Sequence, residues 1–236
     1  MTDGPIAAAR ADGRRTLTEA EGKRLLADAG LDTPPFAVCA TAAEAVEAGA
    51  DIGYPVVVKV SSPSVTHKSE WADGAGVAVG MESADDVRAA AERIFDAATE
   101  RDIDADVLVE AAMDLDAGTE ILVGGLRDPS FGPVVVTGLG GVFSEVFADT
   151  SHRIAPVTRA EARAAIAELQ VADLLAGYRG SDAADLDALA DVVVTVGDLV
   201  ADHPIAELDL NPVLASSDGA VALDALVVLE ETEADR

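Results

Sequence analysis

Apolar residues recur at helical spacing in two clear stretches. Val87, Ala90, Ala91, Ile94 and Phe95 form one stripe. Leu186, Leu189, Val193 and Val196 form a second, in a helix expected after Ser181. Such stripes predict helices with one face on a core. Helix starts are marked by a hydroxyl side chain followed three residues later by a carboxylate, which together satisfy free backbone N–H groups. Thr18/Glu21, Thr41/Glu44 and Thr158/Glu161 have this form, and Ser83/Asp86 is a shorter variant. Between them lie β-rich runs at Pro55–Val60, Gly76–Met81, Val107–Ala111, Glu120–Val123, Pro133–Thr137, Ala206–Asn211 and Val221–Val228. Helices and strands mix without a regular βαβ repeat, and no Gly-x-Gly-x-x-Gly follows the first strand. The pattern therefore predicts an α+β fold rather than a doubly wound sheet. The polar segment Ala98–Asp106 suggests a boundary near residue 105, giving a smaller lobe over 16–105 and a larger one over 106–236. Residues 1–15 show no periodicity and are expected to form a loose tail.

Composition narrows the class. The 236 residues include 44 acidic and 16 basic side chains, a formal charge of −28, while half are apolar. That apolar share excludes a disordered acidic tail. The acidity argues against nucleic acid and anionic membranes as partners. No apolar run reaches the length of a membrane span, and the start Met-Thr-Asp-Gly-Pro has no secretory pattern, so a cytoplasmic location is expected. One cysteine, Cys39, excludes a disulfide framework. The acidic residues are spread along the chain, and the lysines are only Lys23, Lys59 and Lys68. This is the pattern of a halophilic protein, in which salt screens self-repulsion. An Asp or Glu in a motif is therefore weak evidence, and a Lys or His is strong.

Two of the three lysines and one of the three histidines fall within ten residues. Lys59 sits in the strand-like Val56-Val57-Val58-Lys59-Val60, where an ammonium is costly unless it meets an anion. Ser61 to Ser69 then supplies hydroxyls, His67 and Lys68. A point charge on a rigid strand beside a donor-rich loop suits a polyphosphate. The Walker pattern is missing, and a surface lysine pair at a turn is the plain alternative.

The segment Glu207-Leu208-Asp209-Leu210-Asn211-Pro212 alternates, so Glu207, Asp209 and Asn211 share one face. Ser216 to Gly219 reads as a turn and Val221 to Asp224 as the returning strand. A turn centred on Ser217–Asp218 sets Asn211 opposite Asp224. Centred on Asp218–Gly219, it sets Asp224 opposite Val213, still on the face of Asn211. Converging oxygen ligands of this kind suit Mg²⁺. A solvated acidic hairpin is the alternative.

Taken in order, these segments resemble the ATP-grasp (β) subunit of the ADP-forming acyl-CoA synthetases, over about Leu17 to Val228. The matching stretches are Leu17–Glu21, Gly53–Lys59, Thr66–Ser69, Met113–Gly124, Asp128–Val134, Gly138–Glu145, Leu175–Gly180 and Glu207–Pro212. The resemblance implies an ATP-grasp fold whose two α+β lobes clamp ATP or ADP. It implies that Lys59 holds the phosphates and that Glu110, Ala111, Ala112 and Met113 form a hinge along which adenine lies. Glu120 would contact the nucleotide, Asn211 and Asp224 would hold Mg²⁺ with Asp209 beside them, and Arg153 would stand near the phosphates. His67 resembles a relay that takes a phosphoryl group from a histidine of a partner α subunit and passes it to ADP, with Asp209 able to orient it. One departure is visible: Glu70-Trp71-Ala72-Asp73-Gly74-Ala75 stands where the family reaches Gly-Gly-Val sooner, like a small insertion.

The activity implied is acyl-CoA plus ADP plus phosphate to acid, CoA and ATP, with acetyl-CoA the expected substrate. The CoA-binding domain and the first phosphohistidine would sit on the α subunit, in an α2β2 assembly. Two alternatives are a succinyl-CoA-synthetase-like β subunit, which is longer and has an added C-terminal domain, and a non-catalytic nucleotide-sensing module.

Overall fold

The computed structural model describes residues 3–65, 68–141, 149–177 and 182–231. The chain forms two compact units, one of Pro34–Met113 and one of the chain up to Thr33 together with the chain from Asp114.

The smaller unit holds β1 (Phe36–Cys39), α3 (Ala42–Ile52), β2 (Val56–Ser61), β3 (Val77–Met81), α4 (Ala84–Glu100) and β4 (Asp106–Ala111). Its antiparallel sheet runs in the order β1-β4-β2-β3. Val56, Val58 and Val60 of β2 and Val107 and Val109 of β4 pack with Val87, Ala91 and Ile94 of α4 in one cluster. Burying each Val or Ile fully is worth about 1.5–3 kcal/mol. Strand alternation then sends Val57, Lys59, Leu108 and Glu110 to the face away from α4.

The larger unit holds α1 (Asp3–Ala11), α2 (Glu19–Asp28), β5 (Gly118–Asp128), β6 (Gly132–Leu139), β7 (Thr150–Ile154), α5 (Arg159–Ala167), α6 (Ala172–Leu175), α7 (Leu186–Asp202), β8 (Ile205–Ser216), β9 (Gly219–Ala222) and β10 (Leu226–Leu229). The sheet order is β10-β8-β5-β6-β7, with β9 also on β8. Ile121, Val123, Val135, Leu208 and Leu210 meet Leu189, Val193 and Val196 of α7 in the core. The capping boxes at Thr18 and Thr158 are closed in both directions. Thr41 and Ser83 accept from Glu44 N–H and Asp86 N–H as their sequence predicts. No described helix is long and apolar enough to cross a membrane.

The structure departs from the sequence reading at the lobe limits. The segment expected as a loose tail carries α1, with Ile6 and Ala9 buried, and Arg14 pairs with Glu21 at 2.7 Å. Residues 16–33 join the larger unit, where Leu17 N–H donates to Val227 C=O. Residues 106–113 stay in the smaller one, because β4 pairs with both β1 and β2. The polar stretch before β4 is thus a helix-to-strand turn, not a boundary. Helix α7 starts at Leu186 on an Asp185 cap; Ser181 lies outside the described residues. The single returning strand expected over Val221–Val228 is two, β9 and β10, and β1 and β7 are additional.

Candidate functional site

In the smaller unit, Lys59 Nζ lies 2.6 Å from Glu110 Oε1. Both residues are buried, at 8% and 3% exposure. Val57 pairs with Glu110 and Lys59 with Leu108, so the two charges meet diagonally across adjacent strands. A buried ammonium is tolerable because a carboxylate answers it. Beyond Glu110, Ala111 N–H donates to Pro35 C=O at 3.0 Å and Ala112 N–H to Pro55 C=O at 3.1 Å. These bonds tie the start of the segment to its own unit and leave Met113, 38% exposed, at the unit's end. Two serine contacts shape the loop after β2: Ser62 Oγ donates to Asp104 C=O at 2.7 Å, and Val65 N–H donates to Ser62 C=O at 3.2 Å. His67 and Thr66 lie outside the described residues.

In the larger unit, β8 carries Leu208 and Leu210 into the core and Glu207, Asp209 and Asn211 to the opposite face. The turn is Ser217–Asp218, since Ser216 pairs with Gly219. Val213 opposes Ala222 and Asp209 opposes Leu226, so Asn211 and Asp224 stand at the matching point between the two ladders. Leu223 N–H donates to Pro212 C=O at 2.9 Å and closes that gap. Asn211 Oδ1 accepts from Gly141 N–H at 3.0 Å, and Asp224 Oδ1 from Ala225 N–H at 2.8 Å. Each side chain is thereby oriented. The Asp209 carboxyl is pushed up to about 6, first by burial and then by Glu207 and Asp224. A cation beside it would remove that penalty.

This donor set fits a hard divalent ion. Among the described residues no three His, Cys, Asp or Glu side chains are placed to hold a metal by themselves. Two carboxylates and one amide suit Mg²⁺, which usually takes one or two carboxylates and completes its shell with water and phosphate oxygens.

Glu120, on β5, reaches the same face through a glycine turn. Its carbonyl accepts from Gly140 N–H at 2.9 Å. A Cβ on Gly141 would lie 2.6 Å from Glu120 Oε2, and Gly141 has φ +65°. A Cβ on Gly140 would stand 2.7 Å from the Ile121 carbonyl carbon, and one on Gly138 2.6 Å from the Asp149 carbonyl oxygen. Gly140 and Gly141 therefore let the backbone close against the start of β5 beside Glu120, while Gly138 makes room for Asp149 and Thr150 at the start of β7. Sequence reasoning quoted this run only as a match. The signal was present, since three glycines in four residues after a strand mark close backbone approach. On the next row, a Cβ on Gly124 would contact Val136 Cγ1 at 3.0 Å and come within 3.8 Å of Asp209 Oδ1. Gly124 thus keeps space open beside that carboxylate.

Arg153 is not brought to this face. It opposes Val135, a core residue, whereas the row of Asp209 runs through Gly124 and Val136 to His152. Alternation along β7 turns Arg153 to the helix side. There its Nη2 donates to Glu168 Oε1 at 2.8 Å and its Nη1 to Ser151 Oγ at 3.0 Å. Arg153 and Ser151 hold the Glu168 carboxyl below its ordinary range. In this structure Arg153 thus stands in an ion pair with Glu168 at the sheet edge, away from the face of Asp209 and Asn211. Cys39 is buried and its thiol is pushed up to about 11, mainly by burial, which makes it a poor nucleophile.

Comparison with known proteins agrees with these features. The model of the ATP-grasp domain family matches residues 8–229. The β subunit of the ADP-forming acetate–CoA ligase I of Pyrococcus furiosus is 41% identical over 219 residues, covering 91% of this chain and 92% of that protein. The dinucleotide-forming acetyl-coenzyme A synthetase 1 of Ca. Korarchaeum cryptofilum, solved with coenzyme A, Ca-AMPCP and HgCl⁺, superposes with a TM-score of 0.90 at 35% identity, covering 98% of this chain and all of that one. The same enzyme has been solved with coenzyme A and Mg-AMPPCP, its phosphohistidine segment pointing towards the nucleotide-binding site, at a TM-score of 0.83, 35% identity and the same coverage. With a buried lysine–glutamate pair in one α+β unit and an oriented Asn211–Asp224 hairpin in the other, the chain belongs to the ATP-grasp family, among the β subunits of ADP-forming acetate–CoA ligases.

Proposed function

We propose that this chain is the nucleotide-handling subunit of an ADP-forming acid–CoA ligase that works with an α subunit. The observation that carries the reading is the β8–β9 hairpin. It presents Asn211, Asp224 and Asp209 together on the sheet face opposite the core, with Asp209 held uncomfortably as an anion. In this reading Asn211 and Asp224, with Asp209 beside them, hold Mg²⁺, which neutralises charge along the bound phosphates. Lys59 exchanges its bond to Glu110 for phosphate oxygens. Glu120 contacts the nucleotide, and adenine lies along Glu110–Met113. Ala111 and Ala112 give their N–H groups to Pro35 and Pro55, so those two donors are not the ones that read the base.

The chemical step falls to His67. Its neutral imidazole nitrogen attacks the phosphorus of the partner's phosphohistidine, so one P–N bond forms as the other breaks. A terminal β-phosphate oxygen of ADP then attacks the same phosphorus, the bond to His67 breaks, and ATP forms with neutral imidazole restored. Phosphoryl transfer asks the protein mainly for positioning and charge neutralisation, which Lys59 and the hairpin supply. The 41% identity to a β subunit of an acetate–CoA ligase supports acetyl-CoA as substrate and a separate α subunit; in our reading the two assemble as α2β2. The charge of −28 supports a salt-rich cytoplasm as the working medium.

The test is ATP formation from acetyl-CoA, ADP and phosphate by the mixed subunits. His67→Ala is expected to lower the rate by at least about 100-fold while ADP still binds. A normal rate in that variant would refute the relay. ADP binding with no turnover in the wild-type mixture would favour the nucleotide-sensing alternative.

A further inference from the structure

Strand pairing is interrupted at Asp224. The β8–β9 ladder ends at Val213 and Ala222, and the β8–β10 ladder begins at Asp209 and Leu226. Leu223, Asp224 and Ala225 fall between the two, outside any strand. A carboxylate that holds a metal needs a fixed orientation, so the position of Asp224 depends on what braces the chain on either side of this gap.

The segment that precedes β1 supplies that support on both sides. Before the gap, Ala222 N–H donates to Asp32 C=O at 2.9 Å, and Asp32 and Val221 form a parallel bridge. After it, helix α2 comes very close. A Cβ on Gly22 would lie 3.2 Å from Ala225 Cβ, 3.4 Å from the Ala225 carbonyl oxygen and 3.5 Å from Val227 Cγ2. Ala225 is itself buried, and its N–H donates to Asp224 Oδ1 at 2.8 Å. A push on Ala225 therefore reaches the Asp224 carboxylate through a single hydrogen bond. Glycine inside a helix is less favourable than alanine, and this close approach is the physical reason for one at position 22.

Neither support yields easily. Leu25 and Leu26 of α2 are fully buried in the core of the larger unit, and the helix start is closed by the Thr18 capping box. Leu17 N–H, just before it, is tied to Val227 C=O of β10. At the other end Gly30 turns the chain at φ +87°, and Leu31 N–H donates to Leu26 C=O at 3.0 Å. This is a glycine-terminated helix end, and it fixes Asp32 relative to α2.

We infer that α2 and the turn to Asp32 are a positioning element for the metal carboxylate, with the size of residue 22 setting where Asp224 stands. The inference rests on the metal role of Asn211 and Asp224 proposed above. Gly22 is a positioning residue that acts through Ala225.

The test uses the two-subunit enzyme with ADP, titrated with Mn²⁺ and read by the paramagnetic resonance signal of the free ion. Metal-free ADP affinity and the thermal midpoint are measured beside it. Gly22→Val is expected to weaken Mn²⁺ binding by about 10-fold or more, the usual scale for a group that orients a metal ligand, with metal-free ADP affinity within about 2-fold. Gly22→Ala is expected to weaken it by about 3-fold, because Ala225 must give by only a few tenths of an ångström. Ala225→Gly removes the Cβ that the new side chain meets, and in the Gly22→Val background it is expected to restore Mn²⁺ affinity to within about 3-fold. Wild-type Mn²⁺ affinity in Gly22→Val would overturn the inference; should that variant not fold, wild-type affinity in Gly22→Ala would do the same. So would a fall in Mn²⁺ affinity, metal-free ADP affinity and thermal midpoint together that Ala225→Gly does not repair, because general loosening would then explain it. Asp224→Ala separates the two readings. Wild-type Mn²⁺ affinity there removes the metal site itself, whereas weakened binding in Asp224→Ala beside wild-type binding in both Gly22 variants removes only the brace.

Discussion

Lys59→Met is expected to abolish useful turnover and to destabilise the smaller unit at the same time. Two physical terms act on one side chain. Lys59 is 8% exposed and Glu110 3%, and their charged atoms are 2.6 Å apart. Removing the ammonium leaves a buried carboxylate without its ion-pair partner, a change that typically costs about 3–5 kcal/mol. In the proposed role of Lys59, removing a charge aimed at the transferring phosphate costs about 100-fold or more in rate. The double variant Lys59→Met/Glu110→Leu separates them. It replaces the pair by apolar groups of similar size, so stability returns to near wild type or above, while activity stays lost. Chemical denaturation with a parallel assay of ATP formation reads both. Recovery of activity in the double variant would show that Lys59 serves folding alone.

The second large effect is on salt. The chain has 44 carboxylates against 16 basic side chains, and the repulsion is visible locally. Asp106 is raised by burial and then by Asp104 and Glu44, Asp198 by burial and then by Asp202, and Asp209 by burial and then by Glu207 and Asp224. At 1 M salt the Debye length is about 3 Å, and repulsion across the surface largely vanishes. The exposed arginine–carboxylate pairs weaken too, but each is worth at most about 1 kcal/mol, and unpaired acids outnumber them. The midpoint of thermal unfolding is therefore expected to rise by about 10 °C or more between 0.1 and 2 M KCl, equivalent to roughly 3–5 kcal/mol for a chain of this size. A midpoint that stays level or falls with KCl would remove the argument for a salt-rich working medium.

Local chemistry made much of the fold and part of the site legible. The side-chain caps at Thr18, Thr41, Ser83 and Thr158 are where the pattern put them, because a cap is an interaction within four residues. The alternation in β8 likewise fixed which face Asp209 and Asn211 take. The lobe limits were less legible, because they depend on partners distant in sequence. Leu17 belongs with Val227 and Phe36 with Glu110, and nothing near either residue announces that. Helix α1 was missed because Ile6 and Ala9 give it only two buried apolar positions. The face that Arg153 takes was illegible for another reason. A motif gives a residue's position in the chain, whereas the side of the sheet it faces follows from the register of β7 on β6. The glycines at 140 and 141 acquire their meaning only when Glu120 and Asn211 are seen beside them.

In the proposed function one nucleotide is bound both by Lys59 and by the Asn211–Asp224 hairpin. Crystals of the two-subunit complex grown with Mn²⁺ and a non-hydrolysable ATP analogue test this directly, since Mn²⁺ scatters anomalously where Mg²⁺ does not. The account predicts an anomalous peak within coordination distance, about 2.0–2.3 Å, of oxygens of Asn211 and Asp224, on an analogue whose phosphates also accept from Lys59. An analogue bound with its metal elsewhere, touching neither Lys59 nor the hairpin, would contradict it.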